Sequence, residues 1–218
     1  MKKKTKGLFF LGVGLLAAFV VWTVLVRFVD VQAIGPRESS VGFAALNGYV
    51  HSLTGVNMSL HVITDWLGLV PIGVAFGFAI LGLVQWIKRK SLLRVDRTLL
   101  LLGGFYIIVI AVYILFEIVV INYRPTLIDG YLEASYPSST TMLVMCVMPA
   151  AMVELRTRVK NSALKQCIML LISTFTVFMV LGRILSGVHW ITDIVGGALF
   201  STGMVLVYYA IRSAITKK

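Results

Sequence analysis

The sequence predicts an all-α polytopic membrane protein, with six transmembrane helices in one bundle and an amphipathic helical segment at the membrane interface. Three observations carry that prediction. The 218 residues are 59% hydrophobic and only 13% charged, with a mean hydropathy of +0.94, whereas soluble domains carry about 25% charged residues. Six apolar runs recur, most of them near the ~20 residues that cross the hydrocarbon core. Basic residues gather in short clusters between those runs, the pattern that sets membrane orientation.

The elements follow in order. Met1-Lys2-Lys3-Lys4-Thr5-Lys6 precedes a first apolar run, 7–26. It is too long for the core of a usual signal peptide and is read as an uncleaved span. Gly35-Pro36-Arg37 marks a turn. From Ser39 to Leu60, Phe43, Leu46, Val50, Leu53 and Val56 recur every three or four residues, the stripe of a helix or helix pair at the outer interface. His51 and His61 fall in or near it and are expected to face headgroups or neighbouring side chains. The remaining spans are expected at about 66–87, 98–120, 140–155, 166–185 and 191–211, in one domain covering 1–218. Short connections make sequential helices antiparallel.

Six spans put both termini on one side. Sixteen of the twenty Lys and Arg residues fall on that side, which is therefore expected to be the cytoplasmic face of the plasma membrane. The same clustering accounts for the net charge of +11 without nucleic acid as a partner. Arg27, Arg37, Arg124 and Arg183 are left on the outer face, where the bias runs against them. Cys146 and Cys167 form no paired motif and read as small hydrophobes.

Three polar elements converge on that outer face: Arg124-Pro125, Pro137-Ser138-Ser139-Thr140, and Arg183 with His189 and Asp193. Charged groups beside hydrocarbon are costly, so such a cluster is a candidate functional site. Two arginines can fork onto phosphate oxygens. Ser138, Ser139 and Thr140 open the fourth span, whose free N–H groups and positive dipole end suit an anion. His189 and Asp193, four apart, would share a face if their stretch opens a helix. An aspartate-oriented neutral histidine can attack phosphorus, although a satisfied helix-end histidine produces the same pair. No acidic cluster suggests a magnesium site, so neither metal nor cofactor is expected.

These residues resemble the signature of the type-2 phosphatidic acid phosphatase family, within the acid phosphatase and vanadium haloperoxidase superfamily. The family pattern reads K-x6-R-P, then P-S-G-H, then S-R-x5-H-x3-D. Here it is carried by Arg124-Pro125, by Pro137-Ser138, and by Arg183, His189 and Asp193 at matching spacing. The resemblance implies that His189 is the nucleophile and Asp193 its orienting partner. Arg124, Arg183, Ser138, Ser139 and Thr140 would then bind the phosphate of a lipid phosphate or diphosphate without a metal.

The chain also departs from the pattern. Glu117 stands at the family lysine, Ser139 at the glycine, Thr140 at the second-motif histidine, and Gly182 at the serine before Arg183. The family histidine at the Thr140 position protonates the leaving alkoxide, and losing a general acid costs roughly 10²–10⁴-fold. Glu117 is expected either to help or to pair with Arg124 or Arg183. Two readings remain open. One is a phosphatase preferring diphosphates, whose phosphate leaving group needs less protonation. The other is a member that binds lipid phosphate without useful turnover. A transporter fits less well, because the charges gather at one rim instead of lying mid-span.

Overall fold

The computed structural model describes residues 3–216 and is helical throughout its spans. Lys2, Lys217 and Lys218, counted above among the cytoplasmic basic residues, lie outside the described residues. The helices are α1 (Lys3–Phe28), α2 (Ala44–Thr54), α3 (Met58–Leu67), α4 (Leu69–Arg89), α5 (Arg97–Ile118), α6 (Ser139–Arg158), α7 (Ser162–Ser186) and α8 (Ile191–Ile215). Among the described residues there are no named strands, only isolated bridges such as Tyr123 with Ala134. Six segments are long and apolar enough to cross a membrane, and the second of them runs from Met58 to Arg89.

That second segment differs from expectation. The amphipathic stretch 39–60 is not one interfacial unit. α2 packs on α8, whereas α3 packs on α7 and leads directly into α4. The break between α3 and α4 falls at Gly68, three residues before Pro71. Proline has no N–H for the Leu67 carbonyl, so the helix must restart there. His61, Thr64 and Asp65 interrupt the apolar pattern of α3, which is why a hydropathy reading starts the span too late. The fourth span is likewise longer than expected, because α6 keeps its helical hydrogen bonds through Glu154 and Arg158.

Packing centres on α8. A side chain on Gly12 would meet the Gly203 carbonyl at 2.9 Å, and one on Gly203 would meet the Gly12 carbonyl at 3.0 Å. Small residues therefore let α1 and α8 approach backbone to backbone, the arrangement favoured where lipid supplies no hydrophobic drive between helices. Around this contact Phe19, Phe105, Tyr136, Phe200 and Tyr208 form an aromatic core. Cys146 is buried and Cys167 exposed; both are free thiols.

At the end carrying the termini, fully buried Glu154 on α6 accepts from Tyr208 Oη at 2.7 Å and pairs with Arg212, both on α8. Arg158 joins it at 3.3 Å and also reaches Asp96, at the start of α5, at 3.5 Å. Removing one member of such a buried network strands the others, at a cost of roughly 3–5 kcal/mol. Glu154→Ala is therefore expected to lower the melting temperature in detergent. Glu154→Gln, which keeps a hydrogen-bond acceptor, should lose less, and equal melting of all three proteins would contradict the network's importance.

Candidate active site

The opposite end holds the three sequence elements. α7 ends at Ser186, and Gly187 takes φ +63°, a left-handed turn that a side chain would oppose. A side chain there would also lie 1.7 Å from the Gly55 carbonyl, so glycine lets the α7–α8 turn press against the α2–α3 turn. Asn57 N–H clamps the same junction by donating to the Ser186 carbonyl at 2.9 Å. The short Val188-His189-Trp190 segment is thereby fixed between α7 and α8.

His189 lies just outside α8, which starts at Ile191, so it does not share a helical face with Asp193. Its Nδ1 donates to the Ser135 carbonyl at 3.1 Å. A carbonyl can only accept, so the proton sits on Nδ1 and the Nε2 lone pair is bare. Asp193 Oδ2 is 3.7 Å from Nδ1, a distance for electrostatic support and too long for a hydrogen bond. That oxygen instead accepts from Trp190 N–H at 2.9 Å, capping α8, while Oδ1 accepts from Asn122 Nδ2 at 3.4 Å. The expected aspartate–histidine hydrogen bond is thus replaced by a backbone carbonyl, and Asp193 anchors the turn around it.

Both arginines converge on the bare nitrogen. Arg183 Nη2 donates to His189 Nε2 at 2.8 Å, and Arg124 Nη1 lies 3.2 Å from it. Arg124 is held from outside by Glu133, whose carbonyl accepts the Arg124 N–H and whose carboxylate pairs with Nε, both at 3.0 Å. Glu117, expected as a partner for Arg124 or Arg183, pairs with neither. It lies exposed at the end of α5, lining a small crevice with Tyr113, Ser139 and His189. Arg183 is 0% exposed and, among the described residues, has no carboxylate within ion-pair distance. Its remaining contacts come from α3, where Nη1 donates to His61 Nδ1 at 2.9 Å and to Thr64 Oγ1 at 3.2 Å.

Ser138 caps α6, its Oγ facing Thr141 N–H at 3.5 Å, while its own N–H donates to the Asp193 carbonyl at 3.1 Å. The N–H groups of Ser139 and Thr140 follow at the helix start, where no intrahelical acceptor exists. Ser139 borders the crevice with His189. Both Ser139 and Thr140 also line an apolar cavity of about 480 Å³ together with Ile72, Val109, Ile110, Tyr113 and Leu143. The structure therefore brings Arg124, Arg183 and His189 into direct contact, sets Asp193, Ser138 and Ser139 behind or beside them, and turns Thr140 toward the apolar side. It also adds His61, Thr64, Asn122, Glu133 and Ser135. Of these, His61 alone left a trace in the sequence, as an ionisable residue within an apolar stretch.

Residues 116–217 match the PAP2 superfamily, a range containing Glu117, Arg124, Ser138–Thr140, Arg183, His189 and Asp193. Over that stretch, just under half of its length, the chain is similar to the PAP2 superfamily. Its fold is similar to that of a transmembrane PAP2-type phosphatidylglycerolphosphate phosphatase from Bacillus subtilis, with 20% identity, TM-score 0.54, and coverage of 95% of this chain and 97% of that one. No curated protein matches the sequence. The chain thus shares the helical fold of that transmembrane protein, while α1 to α4, His61 included, lie outside the range matched by the family.

Burial first, then the charges of Arg124 and Arg183, hold the His189 imidazole well below the usual histidine range. The folded protein therefore keeps His189 neutral where an unfolded chain, near 6.5, would already bind a proton. Stability is full above that unfolded value and is lost as pH falls below it toward the folded value. The melting temperature should drop between pH 7.5 and 5.5, and His189→Gln should flatten the drop. An unchanged pH slope in the variant would count against the neutral, buried state.

Proposed function

We infer that this protein releases phosphate from a lipid phosphate or lipid diphosphate at the outer face of the plasma membrane, through a histidine nucleophile. The observation that carries the reading is Arg183: a fully buried guanidinium without a carboxylate, sharing the lone pair of a neutral histidine with a second arginine. An unpaired buried charge is strongly unfavourable, and two guanidinium groups beside one another repel. A phosphate between them would neutralise both and accept their forked N–H groups. The Ser139 and Thr140 N–H groups at the start of α6 supply further donors.

Chemically, His189 Nε2 attacks phosphorus, forming a phosphohistidine as the bond to the leaving oxygen breaks. Water then attacks phosphorus, returning the electron pair to Nε2 and releasing phosphate. The Ser135 carbonyl, with Asp193 at 3.7 Å, stabilises the positive charge that develops on the ring. These are all groups of this chain. The apolar cavity between α4, α5 and α6 supports a lipid substrate, because it reaches Ser139, which also borders the crevice lined by His189.

The other reading, binding without turnover, is favoured by Thr140 and Glu117. Against it stands the bare, neutral Nε2 aimed at the arginines, which an anion-binding site alone would not require.

Phosphate release from a panel of lipid mono- and diphosphates tests the proposal. Wild-type release abolished by His189→Ala is the expected result; activity retained in that variant would sink the nucleophile assignment. Arg183→Lys should cost roughly 10²–10³-fold, since an ammonium cannot replace the fork. Leu143→Trp, which fills the apolar cavity, should raise KM for a long-chain lipid phosphate and leave a small water-soluble phosphate ester unaffected. Equal effects on both substrates would remove the cavity from the substrate path.

A further inference from the structure

On the reading above, Thr140 leaves the site without an acid for the leaving oxygen. The fold places another imidazole at the same guanidinium. His61 on α3 is 122 residues before Arg183, yet Arg183 Nη1 donates to His61 Nδ1 at 2.9 Å while Nη2 donates to His189 Nε2 at 2.8 Å. Because Nδ1 accepts, the neutral ring carries its proton on Nε2. Nε2 has no hydrogen-bond partner among the described residues, and it is not one of the fully enclosed unpaired atoms. His61 as a whole is 8% exposed. By contrast, Thr140 has no group that titrates near neutrality, and Glu117 stands exposed at the crevice with no partner at Arg183.

We propose that His61 is the general acid–base of this enzyme, replacing from α3 the proton donor that is absent at Thr140. The inference rests on the phosphatase reading. In the first step His189 Nε2 forms a bond to phosphorus and the phosphorus–oxygen bond to the lipid breaks. The electron pair passes to the leaving oxygen, and protonated His61 supplies the proton that makes it an alcohol. In the second step water attacks the phosphohistidine and gives its proton to neutral His61. The bond to His189 then breaks and phosphate leaves. The charged groups acting on His61 are Arg183 from α7, Arg124 and Asp129 from the α5–α6 connection, and Asp65 from its own helix. A phosphate drawing the N–H groups of both arginines away offsets their charge and frees Nδ1. The protonated ring is therefore favoured when substrate is bound.

The leaving group supplies the test. Phosphatidic acid expels an alkoxide, which needs a proton; a prenyl diphosphate expels a prenyl monophosphate, which needs it far less. Initial rates of the full-length protein in mixed micelles are measured for wild type, His61→Gln, His61→Asn, Glu117→Gln and His189→Ala. The expected result is that both His61 variants lose roughly 10²–10⁴-fold in kcat on phosphatidic acid and much less on the diphosphate. They should also lose the fall in kcat on phosphatidic acid seen at high pH, where the acid gives up its proton. Glu117→Gln should show no such split. Equal losses on both substrates would reduce His61 to holding Arg183 in place and overturn the proposal. So would unchanged rates, or a split found in Glu117→Gln. Failure of the underlying reading looks different: wild type releases nothing from either substrate, or His189→Ala retains wild-type rates.

Discussion

One buried positive charge organises the end of the bundle where α7 turns into α8. Arg183 sits at the last turn of α7 with no carboxylate beside it, and each polar hydrogen-bond partner it has comes from another part of the chain. α3 supplies His61 and Thr64, and the α7–α8 turn supplies His189. Placing such a charge among helices costs several kcal/mol unless its N–H groups are satisfied. The α3–α7 contact, the Gly187 turn and the Ser135 carbonyl behind His189 position the partners of Nη1 and Nη2, while Nε is buried without one. The same arrangement leaves one direction open to an anion, because nothing in the described protein neutralises the charge itself.

The other end of the bundle shows the reverse solution. Glu154 is just as buried as Arg183, but it is surrounded by Arg158, Arg212 and Tyr208, so the charges are matched within the protein. Comparison of the two ends separates a structural ion network from a candidate site by a physical criterion. In the first the charges close on one another; in the second two like charges face a lone pair. Both ends hang on α8, which contributes Asp193 to one and Arg212 to the other.

Much of this was readable from residues alone. The six spans follow from local apolar length and from where Lys and Arg collect. Arg124, Arg183 and His189 were legible because their spacing survives in the chain. What escaped depends on contacts between distant segments. His61 reads as part of an interfacial stripe, since nothing nearby in sequence reveals that its neighbour is Arg183. Ser135 acts through its backbone carbonyl, which no side-chain pattern can report. Glu117 looked like a partner for Arg124 by proximity along the chain, but the α5–α6 connection folds back and delivers Glu133 instead. Asp193 was correctly placed beside His189 and misjudged in its bond, because capping α8 engages the oxygen that faces the ring.

The apolar cavity beside Ser139 and Thr140 has an evolutionary consequence. Its far wall is built from α4 and α5, through Ile72, Val109 and Ile110, whereas the arginine–histidine cluster is carried by α3, α7, and the turns flanking α6 and α8. Apart from Ser139 and Thr140, which border both, residues that would select the hydrocarbon chain are therefore separate from those that would handle phosphate. Substitutions on that wall can drift, lengthening or narrowing the lipid path, without touching the charged centre. A lineage with this layout can diversify its lipids while inheriting its chemistry intact.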